Sequence, residues 1–289
     1  MTPTDYDYLR KLLRERSGLV LSADKEYLVE SRLLPVARRA GLSGLADLVL
    51  ELKKGRRSEP LTADVVEAMT TNETFFFRDK RPFEHFRDIM IPALMAARAN
   101  VRRLRIWCAA TSTGQEPYSL AMYLREIAPR LAGWRIEIIG TDLSRDVLAK
   151  ARSGIYSHFE VQRGLPIALL IKYFTRIGDT WQIAPDIRTM VQFRSFNLLS
   201  DFNHLGIFDV VFCRNVLIYF DQATKTDVLD RLARVMSHDG HLVLGAAETV
   251  VGLTESFRPV PDRRGLYAPA AGMPARKPVP ALRVVAGGR

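Results

Sequence analysis

The sequence predicts an α/β fold in which a doubly wound parallel sheet follows a small, all-helical domain. Apolar residues recur at helical spacing, without strand-like alternation, from residue 4 to about residue 75. A short apolar run, a turn of small residues and a helix-like pattern then follow one another over residues 105–120. From residue 103 onward, strand-like and helix-like segments alternate, as a parallel sheet with crossover helices requires.

Four helices are predicted before the sheet. Gly18 ends the first helix, and the polar residues around Ser22 begin the second. The patterns that mark the four helices cover residues 8–13, 22–33, 43–52 and 62–69. A further helix over residues 81–99 leads to the first strand. We therefore predict an amino-terminal helical domain over residues 1–80.

The remainder of the chain alternates between strands and helices. The predicted strands cover residues 104–109, 135–142, 191–196, 208–213 and 242–245. One predicted helix begins at Pro117, and two more cover residues 146–152 and 222–236. Residues 155–190 interrupt this alternation with a β-hairpin that turns at Gly178 and Asp179. We therefore predict a sheet domain over residues 81–270, an inserted β subdomain over residues 155–190, and a disordered basic tail over residues 271–289.

Polar side chains follow the predicted strands at their carboxyl ends, where the ligands of such sheets bind. They are Glu116, Asp142, Asn197, Arg214 and Asn215. A carboxylate at the end of the second strand can accept both hydroxyl protons of a ribose, and we assign this role to Asp142. Capping of the next helix is the alternative role of Asp142, although Ser144 can also serve as that cap.

The small-residue turn over residues 110–116 indicates the kind of ligand. It lacks the G-x-G-x-x-G pattern of dinucleotide-binding turns, and the carboxylate of Glu116 would repel a pyrophosphate. A nucleoside-like ligand without phosphate fits better, which points to S-adenosylmethionine. A sheet crossover that binds no ligand remains the alternative for this segment.

Three consecutive phenylalanines in residues 71–79 are flanked by Asn72, Thr74 and Arg78. Such a run of large apolar side chains needs burial. The segment is therefore either a domain junction that packs on aromatic rings or the wall of a cofactor pocket into which Arg78 points.

The composition is that of a globular protein, 47% hydrophobic with a formal net charge of +10. No apolar run reaches about 18 residues, so no membrane span is predicted. No apolar segment follows Met1, so we expect no secretory signal. Cys108 and Cys213 lie near the ends of apolar strands, as the reduced thiols of a cytoplasmic protein would, and the histidines show no metal-binding spacing.

The positive charge predicts an acidic partner such as nucleic acid, an anionic membrane surface or an acidic protein. Its informative part lies between Arg32 and Arg57, where basic residues outnumber acidic ones. This stretch is either a docking surface or a solvated helix face.

Four segments resemble the chemotaxis receptor methyltransferases of the CheR type, a family that esterifies glutamates of chemoreceptors with S-adenosylmethionine. They are residues 71–78, 112–119, 149–156 and 212–220, with the sequences TNETFFFR, STGQEPYS, AKARSGIY and FCRNVLIYF. The segments occur in the order of the family, and the resemblance covers roughly residues 5–268.

The resemblance implies a Rossmann-like S-adenosylmethionine-dependent methyltransferase sheet with an amino-terminal all-helical domain and an inserted small antiparallel β subdomain. It implies a cytoplasmic protein-glutamate O-methyltransferase of chemotaxis signal transduction. The cofactor-binding residues that it implies are Asn72, Thr74, Arg78, Glu116, Asp142, Asn197, Leu198, Arg214 and Asn215. Arg78 and Tyr219 match the positions proposed to act on the substrate carboxylate, and no metal is implied.

Two departures from the family pattern affect these expectations. Gln115 precedes Glu116 where the family usually has two glutamates, and because Glu116 is retained we expect cofactor binding to survive. The hairpin at Gly178 is shorter than in members that dock on a receptor's carboxyl-terminal pentapeptide, which argues against tethering by that route. The partners implied are the acidic, cytoplasmic methylation helices of chemoreceptors.

Two other functions are weighed against this one. A nucleic-acid methyltransferase would account for the charge of +10, but residues 214–217 lack an Asn/Asp-Pro-Pro-Tyr-type motif, so we expect no nucleic-acid partner and no membrane insertion. A non-catalytic signalling module could bind the cofactor as an allosteric ligand. The presence of Arg78 and Tyr219 argues against such a module.

Overall fold

The computed structural model describes residues 1–270, except for the side chains of residues 56 and 57. Its α-helices are α1 (Pro3–Ser17), α2 (Glu26–Arg39), α3 (Leu45–Leu52), α4 (Glu59–Met69), α5 (Arg81–His85), α6 (Ile91–Ala97), α7 (Gln115–Glu126), α8 (Arg145–Ser153), α9 (His158–Gln162), α10 (Ile167–Tyr173), α11 (Pro185–Arg188) and α12 (Gln222–Arg234). Its strands are β1 (Arg103–Ala109), β2 (Arg135–Asp142), β3 (Ile155–Ser157), β4 (Phe174–Ile177), β5 (Thr180–Ile183), β6 (Val191–Ser195), β7 (Phe208–Cys213), β8 (Met236–Leu244), β9 (Phe257–Pro259) and β10 (Leu266–Pro269). The tail predicted over residues 271–289 lies outside the described residues.

The amino-terminal region is helical, as predicted. Helices α1 to α4 enclose a core of their own that includes Leu9, Leu33 and Leu48. Gly18 ends α1 in the left-handed conformation, with φ of 76°, because a residue without a β-carbon adopts this cap at little cost. A π-helical turn, Phe86–Met90, joins α5 to α6 within the predicted fifth helix. None of the helices in residues 1–270 has the length and hydropathy needed to cross a membrane.

A seven-stranded sheet follows, in the order β6-β2-β1-β7-β8-β10-β9. The first five strands in this order are parallel, whereas β10 runs antiparallel to β8 and β9 antiparallel to β10. The predicted parallel sheet with crossover helices is confirmed for the five parallel strands. The sequence does not predict β9 and β10, because they have only 3 and 4 residues and show no alternation.

The order of the strands places a crevice at the carboxyl end of β1. Its two neighbours, β2 and β7, lie on opposite sides of it, so the chain crosses the sheet in opposite directions from this point. The loops that leave β1 and β7 therefore separate and open a space between them.

The insertion predicted in the sheet is also present. Strands β3, β5 and β4 form a separate antiparallel sheet, and β4 and β5 are joined by the two-residue turn Gly178 and Asp179. Tyr156 of β3 and Phe174 of β4 are buried in the same core as the α-helices on one face of the large sheet. The inserted sheet is thus packed onto the main sheet.

The strand predicted over residues 242–245 begins earlier than expected. Strand β8 starts at Met236, and the predicted helix over residues 222–236 ends at Arg234. Asp239 and Gly240 lie within β8, where Arg98 donates hydrogen bonds to the Asp239 carboxylate. The first part of β8 contains polar residues and pairs irregularly with β7, so it lacks the apolar pattern by which a strand is predicted from sequence.

The helical region contacts the loops at the carboxyl edge of the sheet. Glu67 of α4 accepts hydrogen bonds from the Ser144 hydroxyl at 2.6 Å and from the backbone N–H of Asp146 at 2.7 Å, so it helps to cap α8. Arg14 of α1 forms an ion pair with Asp221 at 2.7 Å. These contacts fix the helices beside the crevice, and the domain boundaries remain predictions.

Candidate functional site

The predicted site residues come together in one cleft at the carboxyl edge of β1, β2 and β7. The cleft contains about 1010 Å³ of space not filled by atoms, its open mouth included. Its wall includes every residue singled out from the sequence: Asn72, Thr74, Arg78, Glu116, Asp142, Asn197, Leu198, Arg214, Asn215 and Tyr219. Ser17, Leu19 and Thr70 of the helical region also line it. The cleft therefore lies between the helices and the sheet, and the roles assigned to its residues remain predictions.

The turn after β1 has an unusual backbone. Ala110 and Ser112 have φ of 55° and 51°, in the left-handed region that non-glycine residues rarely adopt. Gly114 has φ of 92°, and a β-carbon there would lie 3.0 Å from that of Ala151 and 3.1 Å from Cζ of Phe193. Such backbone strain costs about 1–3 kcal/mol per residue and concentrates at ligand sites. At Gly114, both the left-handed backbone and the close neighbours favour glycine.

Asp142 lies at the end of β2 with its carboxylate turned into this turn. Its Oδ2 accepts a hydrogen bond from the N–H of Ser112 at 2.8 Å, and its Oδ1 accepts one from the N–H of Ser144 at 3.0 Å. Each oxygen retains a second lone pair for a ligand hydroxyl. The N-cap of α8 is Ser144, whose hydroxyl accepts from the N–H of Val147 at 3.3 Å, so capping of α8 does not occupy Asp142.

Glu116 is paired with an arginine, which the sequence did not indicate. Arg214 donates from Nη1 to Oε2 of Glu116 at 2.6 Å and from Nη2 to the Asp79 carboxylate at 2.6 Å. The side chain of Arg214 is only 2% exposed. Two charge-assisted hydrogen bonds to carboxylates fix the orientation of this guanidinium. Oε1 of Glu116 accepts no hydrogen bond within residues 1–270 and remains available to a ligand.

The phenylalanine run packs against aromatic side chains of the inserted sheet. Phe76 is fully buried, with its ring centroid 5.1 Å from that of Tyr156 and 5.5 Å from that of Phe174. Phe77 has φ of 51°, and its N–H donates to the Ser119 hydroxyl at 3.0 Å. The aromatic-junction interpretation therefore applies to these two residues.

Arg78 lies on the wall of the cleft, as the second interpretation of this segment predicts. Its Nη1 donates to the backbone oxygen of Glu73 at 2.7 Å, and its guanidinium lies 5.7 Å from the ring centroid of Phe75. Arg163 covers the same ring at 4.4 Å and pairs with the Glu73 carboxylate at 2.6 Å. The half-buried Arg78 makes no ion pair within residues 1–270, so its charge is available to an anionic group in the cleft.

Tyr219 also lies on the wall of the cleft, in the 3₁₀ turn Leu217–Tyr219. Its backbone oxygen accepts from the N–H of Val20 at 2.9 Å, which ties the turn to the helical region. Its hydroxyl has no hydrogen-bond partner in the part of the chain that the structure describes. The phenol can therefore donate to a bound molecule.

Asn197 lines the cleft, but its amide is already occupied. Its Nδ2 donates to the backbone oxygen of Arg16 at 2.6 Å, and its Oδ1 accepts from the N–H of Leu199 at 2.9 Å. Asn197 thus joins the loop after β6 to α1. A contact from this segment to a ligand would depend more on Leu198 and on backbone groups.

The sequence did not single out two carboxylates that organise the site. Asp79 follows Arg78 directly and holds Arg214. Glu248 lies four residues after the end of β8 and binds the loop that follows β7. The rule that selected Glu116 and Asp142, polar residues beyond the carboxyl ends of parallel strands, could also have selected Glu248.

The donor set of the cleft fits S-adenosylmethionine. Carboxylates suit ribose hydroxyls and an ammonium group, and arginines suit a carboxylate. Thr111 and Arg214 line the cleft and carry buried polar atoms, Oγ1 and Nε, that have no hydrogen-bond partner in the structure. A polar ligand would satisfy such atoms.

Two family models match the chain. The CheR methyltransferase, SAM binding domain, matches residues 72–266, and the CheR methyltransferase, all-alpha domain, matches residues 4–70. Chemotaxis protein methyltransferase 1 of Pseudomonas aeruginosa is 41% identical over 266 residues, covering 91% of this chain and 96% of the relative. Chemotaxis protein methyltransferase 1 of Vibrio cholerae is 39% identical over 271 residues, covering 92% and 97%.

Proposed function

This chain belongs to the CheR family of methyltransferases, and from this premise we propose that it methylates glutamate side chains of chemoreceptors. The product is a glutamyl methyl ester, and the class is protein-glutamate O-methyltransferase. The observation that carries the proposal is the cleft that combines carboxylates for a nucleoside with the unpaired cation of Arg78. An acidic side chain is a substrate that such a cation can hold.

The chemistry requires little beyond orientation. Bound S-adenosylmethionine supplies a methyl group on a sulfonium, which a carboxylate oxygen can attack in line. A glutamate with a pKa of about 4.3 is ionised at neutral pH, so no general base is required. In the proposed mechanism, Arg78 holds and aligns the substrate carboxylate, and the Tyr219 hydroxyl donates a hydrogen bond to it. Catalysis then comes from positioning and from removal of water from the carboxylate.

The proposed partners are the acidic methylation helices of chemoreceptors. Because these helices are cytoplasmic, we propose a cytoplasmic location for the enzyme as well. Arg38 and Arg39 at the end of α2 are exposed and make no ion pair within the described residues. Arg32 is different, because it donates to the backbone oxygens of Met69 and Thr70 at 2.8 and 2.9 Å. The docking surface that we propose is therefore narrower than the basic stretch in the sequence and centres on Arg38 and Arg39.

Charge reversal on this surface tests the docking role. We expect the double variant Arg38→Glu/Arg39→Glu to raise the KM for receptor about fivefold to tenfold, because exposed charge pairs contribute about 1 kcal/mol or less each. Cofactor affinity should not change. The matched control, Arg234→Glu/Arg258→Glu, makes the same charge change on α12 and β9. An equal rise in KM for the control would show that only net charge matters.

Cofactor affinity should depend on pH through Asp142. Burial raises the pKa of the Asp142 carboxyl above its usual range, against the lowering effect of the N–H groups of Ser144 and Ser112. The ionised form is the better acceptor for ribose hydroxyls, so affinity should fall as the pH falls through this raised pKa. Calorimetric titration with S-adenosylhomocysteine from about pH 8 to about pH 5 checks this. In Asp142→Asn the affinity should be weaker and its fall with falling pH should be smaller, the remainder arising from Glu116, whose pKa burial also raises. An undiminished fall would exclude Asp142 as a source.

Methyl transfer to receptor tests the function itself. The enzyme is incubated with S-adenosylmethionine labelled in its methyl group and with membranes that contain chemoreceptors. We expect label in the receptor band, released as methanol by alkali because the product is an ester. Label in nucleic acid instead, or no label in receptor although the cofactor binds, would reject the proposal.

A further inference from the structure

Glu248 is a buried carboxylate that binds four backbone N–H groups. Its Oε2 accepts from Gly245 at 2.7 Å and from Asn215 at 2.8 Å, and its Oε1 accepts from Leu217 at 2.8 Å and from Val216 at 3.0 Å. The residue is 8% exposed, and no ion pair to it occurs within residues 1–270. Its partners are thus backbone groups of two loops rather than a cation.

These contacts determine the conformation of the loop after β7, which consists of residues 214–217. Three successive N–H groups of this loop donate to the carboxylate of Glu248 rather than to backbone carbonyl groups. Asn215 has φ of 59°, a conformation that needs support from its surroundings. Buried N–H groups without an acceptor are destabilising, so this conformation depends on the carboxylate.

Gly245 lies where the end of β8 comes close to the loop after β7. A β-carbon on Gly245 would lie 2.7 Å from Oε2 of Glu248 and 2.8 Å from Nδ2 of Asn215. The backbone of Gly245 at the end of β8 thus packs against the side chain of Asn215 in the loop after β7. An added β-carbon at position 245 would crowd the Glu248 carboxylate and the Asn215 amide.

The loop that Glu248 holds forms part of the cleft. Arg214, Asn215 and Val216 line the cleft, and Tyr219 follows directly in the 3₁₀ turn. Glu248 itself is not among the lining residues. Glu248 therefore makes no direct contact with a ligand in the cleft and acts on it through the loop or through its charge.

We propose that Glu248 is a positioning residue, which holds residues 214–217 in the conformation that binds the cofactor. This proposal rests on the proposed function only in that the cleft binds S-adenosylmethionine or its demethylated product. The identity of the methyl acceptor does not enter it.

The variant Glu248→Gln tests the proposal because it keeps the shape and one acceptor oxygen but turns an N–H₂ group towards N–H donors. We expect the Kd for S-adenosylhomocysteine and the KM for S-adenosylmethionine to rise about tenfold or more, because leaving one or two N–H groups unpaired costs about 1.4 kcal/mol or more. The kcat at saturating cofactor should fall by a smaller factor than the KM rises, since Arg78 is untouched although the turn that carries Tyr219 is loosened. Glu248→Asp, which keeps the charge on a shorter side chain, should recover part of the affinity.

Glu255→Gln is the matched control, since Glu255 is an exposed glutamate on the same connection between β8 and β9. It should bind S-adenosylhomocysteine like the unmodified chain. A Glu248→Gln protein with a lowered Tm and an unchanged Kd would show a purely structural role and overturn the proposal. If the unmodified chain binds no S-adenosylhomocysteine, this proposal and the proposed function both fail, whereas binding without methyl transfer affects only the latter.

A measurement on the unmodified chain covers the case in which Glu248→Gln does not fold. Glu248 accepts hydrogen bonds from the N–H groups of Asn215, Val216 and Leu217. In amide NMR spectra, S-adenosylhomocysteine should shift the resonances of these three groups. Unshifted resonances at saturation would overturn the proposal.

Discussion

Arg78→Ala is expected to lower turnover about 100- to 1,000-fold, the range typical for removal of a group that orients or stabilises charge in the transition state. Arg78 is the cation of the cleft wall that lacks a carboxylate partner among residues 1–270, while Arg214 is held by Glu116 and Asp79. Its loss therefore leaves the substrate carboxylate without its proposed counter-charge. Single-turnover methyl transfer at saturating cofactor and receptor measures the effect.

The fold should survive this change, because Arg78 contributes one hydrogen bond, to the backbone of Glu73, and lies outside the hydrophobic core. Arg163→Ala is the matched control, since Arg163 packs on the same Phe75 ring and pairs with Glu73 but does not line the cleft. The control should retain turnover within about threefold. Similar losses in the two variants would attribute the effect to disturbance of the loop, and unchanged turnover in Arg78→Ala would remove Arg78 from the mechanism.

Asp142→Ala is expected to weaken binding of S-adenosylhomocysteine about 100-fold, because two hydrogen bonds to a charged acceptor are worth about 1.5 kcal/mol or more each. The carboxylate lies at the end of β2, is 7% exposed and has a free lone pair on each oxygen. Calorimetry with S-adenosylhomocysteine measures the loss directly, without the transfer step.

Part of that loss could arise in the protein, since the variant also leaves the N–H groups of Ser112 and Ser144 without their acceptor. Ser144→Ala is the control, because it removes the cap of α8 and the contact with Glu67 while leaving Asp142 in place. It should lower the free energy of unfolding by about 1 kcal/mol and leave the Kd nearly unchanged. A loss of affinity as large as that of Asp142→Ala would assign the effect to the turn rather than to the ribose contact.

The position of the cleft could be predicted because parallel strands bring their carboxyl ends to one edge. Residues far apart in the chain, such as Glu116, Asp142 and Asn215, line one space for that reason. Strands β1, β2 and β7 and the last part of β8 were predictable because each is largely apolar and is followed by polar residues, whereas the polar first part of β8 was not. Strands β9 and β10 were not, since short strands at a sheet edge have no periodic signal.

The pairing of charges inside the cleft could not be predicted. Nothing in the sequence shows that Arg214 lies between Glu116 and Asp79, because these contacts join residues 98 and 135 positions apart. The same limit applies to Arg32, which belongs to a basic stretch in sequence but binds backbone oxygens at the end of α4. Side chains that interact across the fold are determined by packing, which local patterns do not report.

Calorimetric titration of the full chain with S-adenosylhomocysteine tests most directly whether the cleft is the cofactor site. Saturable binding of one molecule per chain is expected, weakened by Asp142→Ala and left unchanged by Glu255→Gln. A titration of the unmodified chain that shows no heat of binding at several temperatures would contradict the account, and so would undiminished binding by Asp142→Ala.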